Sequence, residues 1–340
     1  MQVQNRFVNV KIIILTILSI SIITLLYHIW GVNDRPSIWE IKDRLPFHRA
    51  KAPTEIPKKI WYKLGSQGLG DKAREWTDTC INKNPNYRVE FVRDQAADAY
   101  VVKEYADRPD IVETYMNLSV PILKADLFRY LVLYNEGGIW SDLDVTCEGP
   151  PIDEWIPEQY KEAAGMVVGW EYDCGYEPTF IRMFQTWWLM SKPRQPHMMM
   201  VIEDILEGVR NKTREHNVAV SELNMDMVEN VIKFTGPKRV TDSVLKSLEI
   251  TMGQPTPWEE ISHLEQPKLL GDVLIMPGYA FALGSNGCQK DLDLGPQLVR
   301  HHYAGSWKNT KGGERRERRS PRHLGVARSP LGHGSAQDGE

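Results

Sequence analysis

The stretch GGIWSDLDVT, residues 137–146, places two carboxylates, Asp142 and Asp144, one leucine apart behind a pair of glycines. Like charges repel, and an unpaired buried carboxylate is costly, so the pair implies a positive partner. In an extended chain, residues two apart face the same side, about 6.6 Å from one another. An oxygen-only pair suits Mn2+ or Mg2+ better than zinc. Such an ion bridging a diphosphate would neutralise the leaving group of a nucleotide-sugar. A bare Asp-x-Asp is a weak sign, because any acidic loop can supply one. Its neighbours strengthen it.

The segment before it, PILKADLFRYLVLYNE (121–136), reads as a helix. Pro121 suits the first turn, Ser119 is a candidate cap, and Gly137-Gly138 is a stop. Asp126, Arg129 and Tyr130 stand at i, i+3 and i+4 and share one face. A solvated Asp–Arg pair would account for them, but the apolar flanking positions argue for a face turned into a cleft. Further along, LVRHHYAGSWKN (298–309) carries the adjacent histidines His301 and His302, and one imidazole of such a pair can complete a metal shell.

The elements that must hold these residues follow from periodicity. Ile60, Trp61 and Tyr62 read as a first strand, residues 72–85 as a helix ending before Pro85, and YRVEFV (87–92) as an alternating strand. Alternation of helix and strand up to residue 136 predicts a layered α/β domain. GDVLIMPGYAFAL (271–283) reads as two strands about a Pro-Gly turn.

The N-terminus departs from this pattern. Residues 12–30 are apolar almost throughout, just long enough to span a bilayer of about 30 Å, with no small-residue cleavage site after them. The expected organisation is a cytoplasmic tail at 1–11, a transmembrane signal anchor at 12–30, a proline- and charge-rich stem at 31–55, a catalytic domain at 56–310 and a disordered tail at 311–340. Basic residues flank the anchor on both sides and do not orient it. Two acceptor sequons, Asn117-Leu118-Ser119 and Asn211-Lys212-Thr213, favour a luminal body. The basic run ERRERR in the tail reads as a solvated segment, and the net charge of −4 gives no sign of a nucleic-acid partner. Four cysteines, Cys80, Cys147, Cys174 and Cys288, lack metal-type spacing; two disulfides with three pairings, or buried thiols, remain open. Eleven tryptophans suit a protein that stacks flat ligands and equally suit a Trp-rich core.

PILKADLFRYLVLYNEGGIWSDLDV resembles the sugar-transfer signature of glycosyltransferase family 32. IPKKIW (56–61), WWLMSKP (187–193), FTGPKRVTDSV (234–244), GDVLIMPGYAF (271–281) and HHYAGSW (301–307) are similar, in the same order, to blocks of its fungal initiation-specific α-1,6-mannosyltransferases. The resemblance covers roughly residues 55–310. It implies a GT-A type fold, a Rossmann-like mixed sheet flanked by helices, behind an N-terminal transmembrane helix. It implies a Golgi type II membrane enzyme using GDP-mannose and Mn2+ and acting with retention on the mannose core of an N-glycan. Other Golgi mannosyltransferase subunits are implied partners. By motif position, Asp142 would touch ribose and metal, and Asp144 would ligate the metal. Asp126 and Arg129, with Tyr130 beside them, would hold donor sugar and diphosphate. Trp61 would lie near the base, and His302, Ser306 and Trp307 would close over metal and phosphate.

Relatives in the family use other acceptors, including sphingolipid, so the fold does not fix the substrate. Two further readings compete. A membrane-anchored subunit without turnover would keep the same fold. DLDVT also fits the loop of aspartate-nucleophile phosphatases, with Asp142 as nucleophile and Asp144 as acid/base. Those loops follow a strongly apolar strand, whereas GGIWS precedes this one.

Overall fold

The computed structural model describes residues 54–173, 182–305 and 308. The tail at 1–11, the apolar run at 12–30, most of the 31–55 stem, the 311–340 tail, Cys174, Ser306 and Trp307 lie outside the described residues. Among the described residues, no helix is long and apolar enough to cross a membrane.

The fold is mixed α/β. Its main sheet has seven strands: β1 (Lys59–Lys63), β2 (Arg88–Val92), β3 (Gly138–Ser141), β5 (Met166–Gly169), β6 (Trp188–Ser191), β7 (Lys268–Leu270) and β8 (Val273–Met276). Their order is β2-β1-β3-β6-β5-β8-β7, and a two-stranded sheet pairs β4 (Val145–Cys147) with β9 (Val299–His301). Strands β3, β5, β6 and β8 are buried at every position, as interior strands covered on both faces must be. The edge strand β2 is exposed or half-buried throughout. Because β1 and β3 are parallel, β6 is antiparallel to both β3 and β5, and β5 is parallel to β8, the carboxyl ends of β1, β3, β5 and β8 share one edge. That is the edge where α/β sheets bind ligands.

The helices are α1 (Asp71–Lys83), α2 (Asp94–Glu104), α3 (Pro109–Asn117), α4 (Pro121–Glu136), α5 (Pro196–His216) and α6 (Pro237–Met252), with shorter turns between them. Helix α4 is the most buried, with ten of its residues enclosed, and it delivers the chain to β3. The delivery depends on the glycine pair. Gly137 has φ +68° and Gly138 φ +96°; a Cβ on Gly137 would lie 2.7 Å from Ser191 O, and one on Gly138 2.7 Å from Lys59 O. The helix therefore ends and threads between β1 and β6 in a space only glycine fits. A disulfide joins Cys80 of α1 to Cys147 of β4, 67 residues apart, and Cys288 is disulfide-bonded as well.

Three expectations are corrected. Between β2 and β3 the chain forms three successive helices instead of alternating. Ser119 does not cap α4: its hydroxyl donates to Leu223 O, 3.0 Å away, and the cap position is Val120. The second half of GDVLIMPGYAFAL is a short helix, Gly278–Ala282, because Pro277 starts a helical turn there instead of reversing a hairpin.

Candidate active site

Helix α4 brings Asp126 and Arg129 one turn apart, both buried. Arg129 Nη2 lies 3.1 Å from Asp126 Oδ1 and 3.2 Å from Asp142 Oδ1, so one guanidinium links the helix to the carboxylate turn. Asp126 Oδ2 accepts a 2.7 Å bond from the Thr235 hydroxyl. Burial pushes the Asp126 carboxyl up to about 6, against the pull of Arg129 and Thr235, with the Asp142 charge adding to the rise. Burial also works against the Arg129 charge, but Asp142 and Asp126 outweigh it and hold the guanidinium above its ordinary value. Its Nε and Nη1 are buried with no hydrogen-bond partner among the described residues. Two unsatisfied donors on a buried cation are expensive, which is the signature of a group that binds an anion.

The chain changes sheets between Asp142 and Asp144. Strand β3 of the large sheet ends at Ser141 and β4 of the small one starts at Val145, so the pair sits on a turn and not on the extended strand expected from its spacing. Leu143 packs back onto the core. Asp142 is fixed by three bonds. Its N–H donates to Trp187 O at 2.9 Å, and its Oδ1 accepts from Trp140 Nε1 at 2.8 Å and from Arg129. Asp144 is fixed by the strand leaving β9: its carbonyl accepts the His302 N–H at 2.8 Å, and its Oδ2 accepts the Ala304 N–H at 2.9 Å. Burial acts to raise the Asp144 carboxyl, but the His301 hydrogen bond and charge, with the Ala304 N–H, hold it below the usual carboxylate range.

The third member of this cluster is His301. One ligand atom each from Asp142, Asp144 and His301 lie within 4.8 Å of one another. His301 Nε2 is 3.3 Å from Asp144 Oδ1, and its Nδ1 is buried without a partner among the described residues. Two carboxylates and an imidazole form a donor set that suits a divalent ion.

His302, assigned to the metal shell from the sequence, is corrected. Its ring stacks on Trp76, with centroids 4.8 Å apart, and its Nε2 is 3.0 Å from Thr146 Oγ1. Burial, with Arg300 adding, lowers its pKa. Consecutive residues of a strand face opposite sides, so His302 shares the face of Arg300 and Thr146 while His301, opposite Val145, lies on the other, and Asp144, held on the turn outside β4, brings its carboxylate to the His301 ring.

Tyr130 and Trp61 are also corrected. Tyr130 is fully buried and donates to Thr235 O at 2.7 Å, so it ties α4 to the turn before α6 instead of facing a ligand. Trp61 is 4% exposed. Its Nε1 donates to Gly137 O at 3.0 Å, the Lys59 ammonium lies 3.6 Å from its ring centroid, and Tyr100 meets it edge-on. It has no free face for a base.

Sequence reasoning passed over Glu171. It follows β5 at the same sheet edge as Asp142, is buried, and has its carboxyl pushed up to about 7, by burial above all, with the Tyr172 hydrogen bond and then the His301 and Lys308 charges pulling it down. No motif marks it. Thr235 and Trp187 were also missed as site residues, although each lies in a quoted block, because only tertiary contacts give them partners there.

This site coincides with a known family signature. The family described as "Glycosyltransferase sugar-binding region containing DXD motif" matches residues 70–162, which include Asp126, Arg129, Asp142 and Asp144. The initiation-specific alpha-1,6-mannosyltransferase of Schizosaccharomyces pombe is 31% identical over 275 residues, 78% of this chain and 66% of that protein. The chain belongs to the DXD glycosyltransferase family. The enzyme of the same name from Candida albicans is 27% identical over 297 residues, 79% of this chain and 76% of that protein. The chain thus spans 66% of the length of the Schizosaccharomyces pombe relative. A solved structure, the PaToxG glycosyltransferase, overlays with a TM-score of 0.40 at 16% identity, covering 58% of this chain and 75% of that one, too loosely to define a shared topology.

Proposed function

We propose that this glycosyltransferase is a retaining α-1,6-mannosyltransferase on a GT-A type fold, using GDP-mannose and Mn2+ and acting on the mannose core of an N-glycan. The observation that carries the reading is the Arg129 guanidinium, buried with two idle nitrogens beside the Asp142–Asp144–His301 cluster. A buried cation with spare donors, next to a set of metal donors, matches a metal-bound diphosphate. The relatives' names support mannose and the α-1,6 linkage.

Arg129 donates to the diphosphate oxygens. Asp126, buried with one oxygen on Arg129 and the other on Thr235, holds that guanidinium in place on the donor side of the site. Asp142, Asp144 and His301 would hold the divalent ion, which would supply neutralisation of charge on the diphosphate. A donor screen, GDP-mannose against UDP-sugars with and without Mn2+, tests the reading. GDP-mannose turnover should require Mn2+ and be lost in Asp144→Asn and His301→Ala, while His302→Ala keeps it. Full turnover by Asp144→Asn in the presence of a chelator would refute it.

A type II Golgi membrane topology with a luminal catalytic domain is part of the same proposal. The apolar run at 12–30 supports it, as do the exposed sequon residues Asn117 and Asn211. Glycosidase should reduce the size of the protein, and the domain in intact microsomes should resist added protease. Digestion without detergent would overturn the topology.

A further inference from the structure

A histidine that ligates a metal usually donates its other ring nitrogen to a carboxylate or carbonyl, which fixes the ring's orientation. His301 lacks this: its Nδ1 has no partner among the described residues. Its ring is held by aromatic faces instead. Trp187 stacks flat on it, with centroids 4.3 Å apart and planes 15° from parallel. Tyr303 closes on it at 4.2 Å and 60°, and meets Trp187 edge-on at 5.7 Å. The indole is itself anchored, because Trp187 Nε1 donates to Phe281 O at 3.1 Å and the residue is buried.

The same residue holds the other half of the cluster, since the Trp187 carbonyl accepts the Asp142 N–H at 2.9 Å. Asp142 and His301 are 159 residues apart and belong to segments that enter from different sheets. Trp187 touches both, one with its backbone and one with its ring. We infer that Trp187 is a positioning residue of the metal centre: it sets the His301 imidazole against the Asp142–Asp144 turn by stacking where other sites use a hydrogen bond. The inference rests on the Mn2+-dependent reading above. A tryptophan that merely fills the core is the competing account, and Trp155 serves as its control. Trp155 is in the same buried cluster and packs on Trp188 and Phe281, and its Nε1 donates to Pro150 O, but it has no contact with Asp142 or His301 among those described.

The test measures Mn2+ affinity of the full chain with saturating GDP, by the electron paramagnetic resonance signal of free Mn2+. The nitrogen coupling to bound Mn2+ is recorded beside it. Trp187→Met removes the flat face and fills much of the space. It should weaken Mn2+ binding by about 10-fold or more, as loss of an orienting partner does, and reduce the nitrogen coupling toward that of His301→Ala. Trp187→Phe, with a smaller flat face, should fall between wild type and Trp187→Met. Trp155→Met should lower thermal stability while leaving affinity and coupling as in wild type. Wild-type affinity and coupling in Trp187→Met, or an equal loss in Trp155→Met, overturns the inference while the metal reading stands. If Trp187→Met does not fold, Trp187→Phe decides: affinity between wild type and His301→Ala supports the inference, and wild-type affinity overturns it. Absence of Mn2+ binding by wild-type protein overturns the metal reading and this inference together.

Discussion

Asp126→Asn should flatten part of the pH dependence of stability. The carboxyl titrates near 6 in the folded protein against an ordinary 3.8. The folded state therefore holds this proton more tightly than the unfolded state does. The stability it contributes is fully present below 3.8 and is lost as pH rises through about 6. The full difference corresponds to roughly 3 kcal/mol, of which about 2 kcal/mol falls between about pH 4.5 and about pH 7.5. Asn keeps an oxygen to accept from Thr235 and does not titrate. Chemical denaturation of wild type and Asp126→Asn at the two pH values isolates the effect, because other titrating groups, Glu171 among them, occur in both proteins. On raising the pH, wild type should lose about 2 kcal/mol more than the variant. Parallel changes in the two proteins would refute the assignment of a desolvated, partly protonated Asp126. The result also bears on function, since the side chain would carry its proton through part of the acidic range while Arg129 stays charged.

Two further outcomes follow from packing. Gly138→Ala should destabilise the protein by about 2–3 kcal/mol or prevent folding, since its Cβ would meet the Lys59 carbonyl at a φ that alanine avoids; a thermal melt equal to wild type would show that the thread between β1 and β6 can widen. Cys147→Ser opens a loop of 67 residues and should cost about 4 kcal/mol on the chain-entropy account, read by urea unfolding against the same chain under reducing conditions, where the difference should vanish.

Much of the molecule could be read from local sequence. The apolar runs gave β1 and β2 within a residue or two, and α1 and α4 ended at their expected stops, because helix and strand periods are local properties. The Asp-x-Asp pair, with Asp126 and Arg129 on one face of the preceding helix, pointed to the site because all four lie within 19 residues, close enough for a single helix and turn to bring them together. The Pro-Gly pair at 277–278 misled because the same dipeptide opens a helix as readily as it turns a hairpin.

What the sequence by itself determined is the chemistry on offer: two adjacent carboxylates, an Asp–Arg helix face and a pair of histidines near the end of the domain. Tertiary structure alone decided which of these meet. The turn that carries Asp144 outside β4 brought its carboxylate to His301, while the alternation of β9 left His302 on the Thr146 side. The path of the glycine pair past Lys59 buried Trp61 and removed it as a platform. Burial, which no local pattern encodes, raised Asp126 and Glu171 and left Arg129 with idle donors. Trp187 acquired its place because β6 lies beside β3 in the sheet and delivers it between two segments 159 residues apart, a juxtaposition that exists only once the chain has folded.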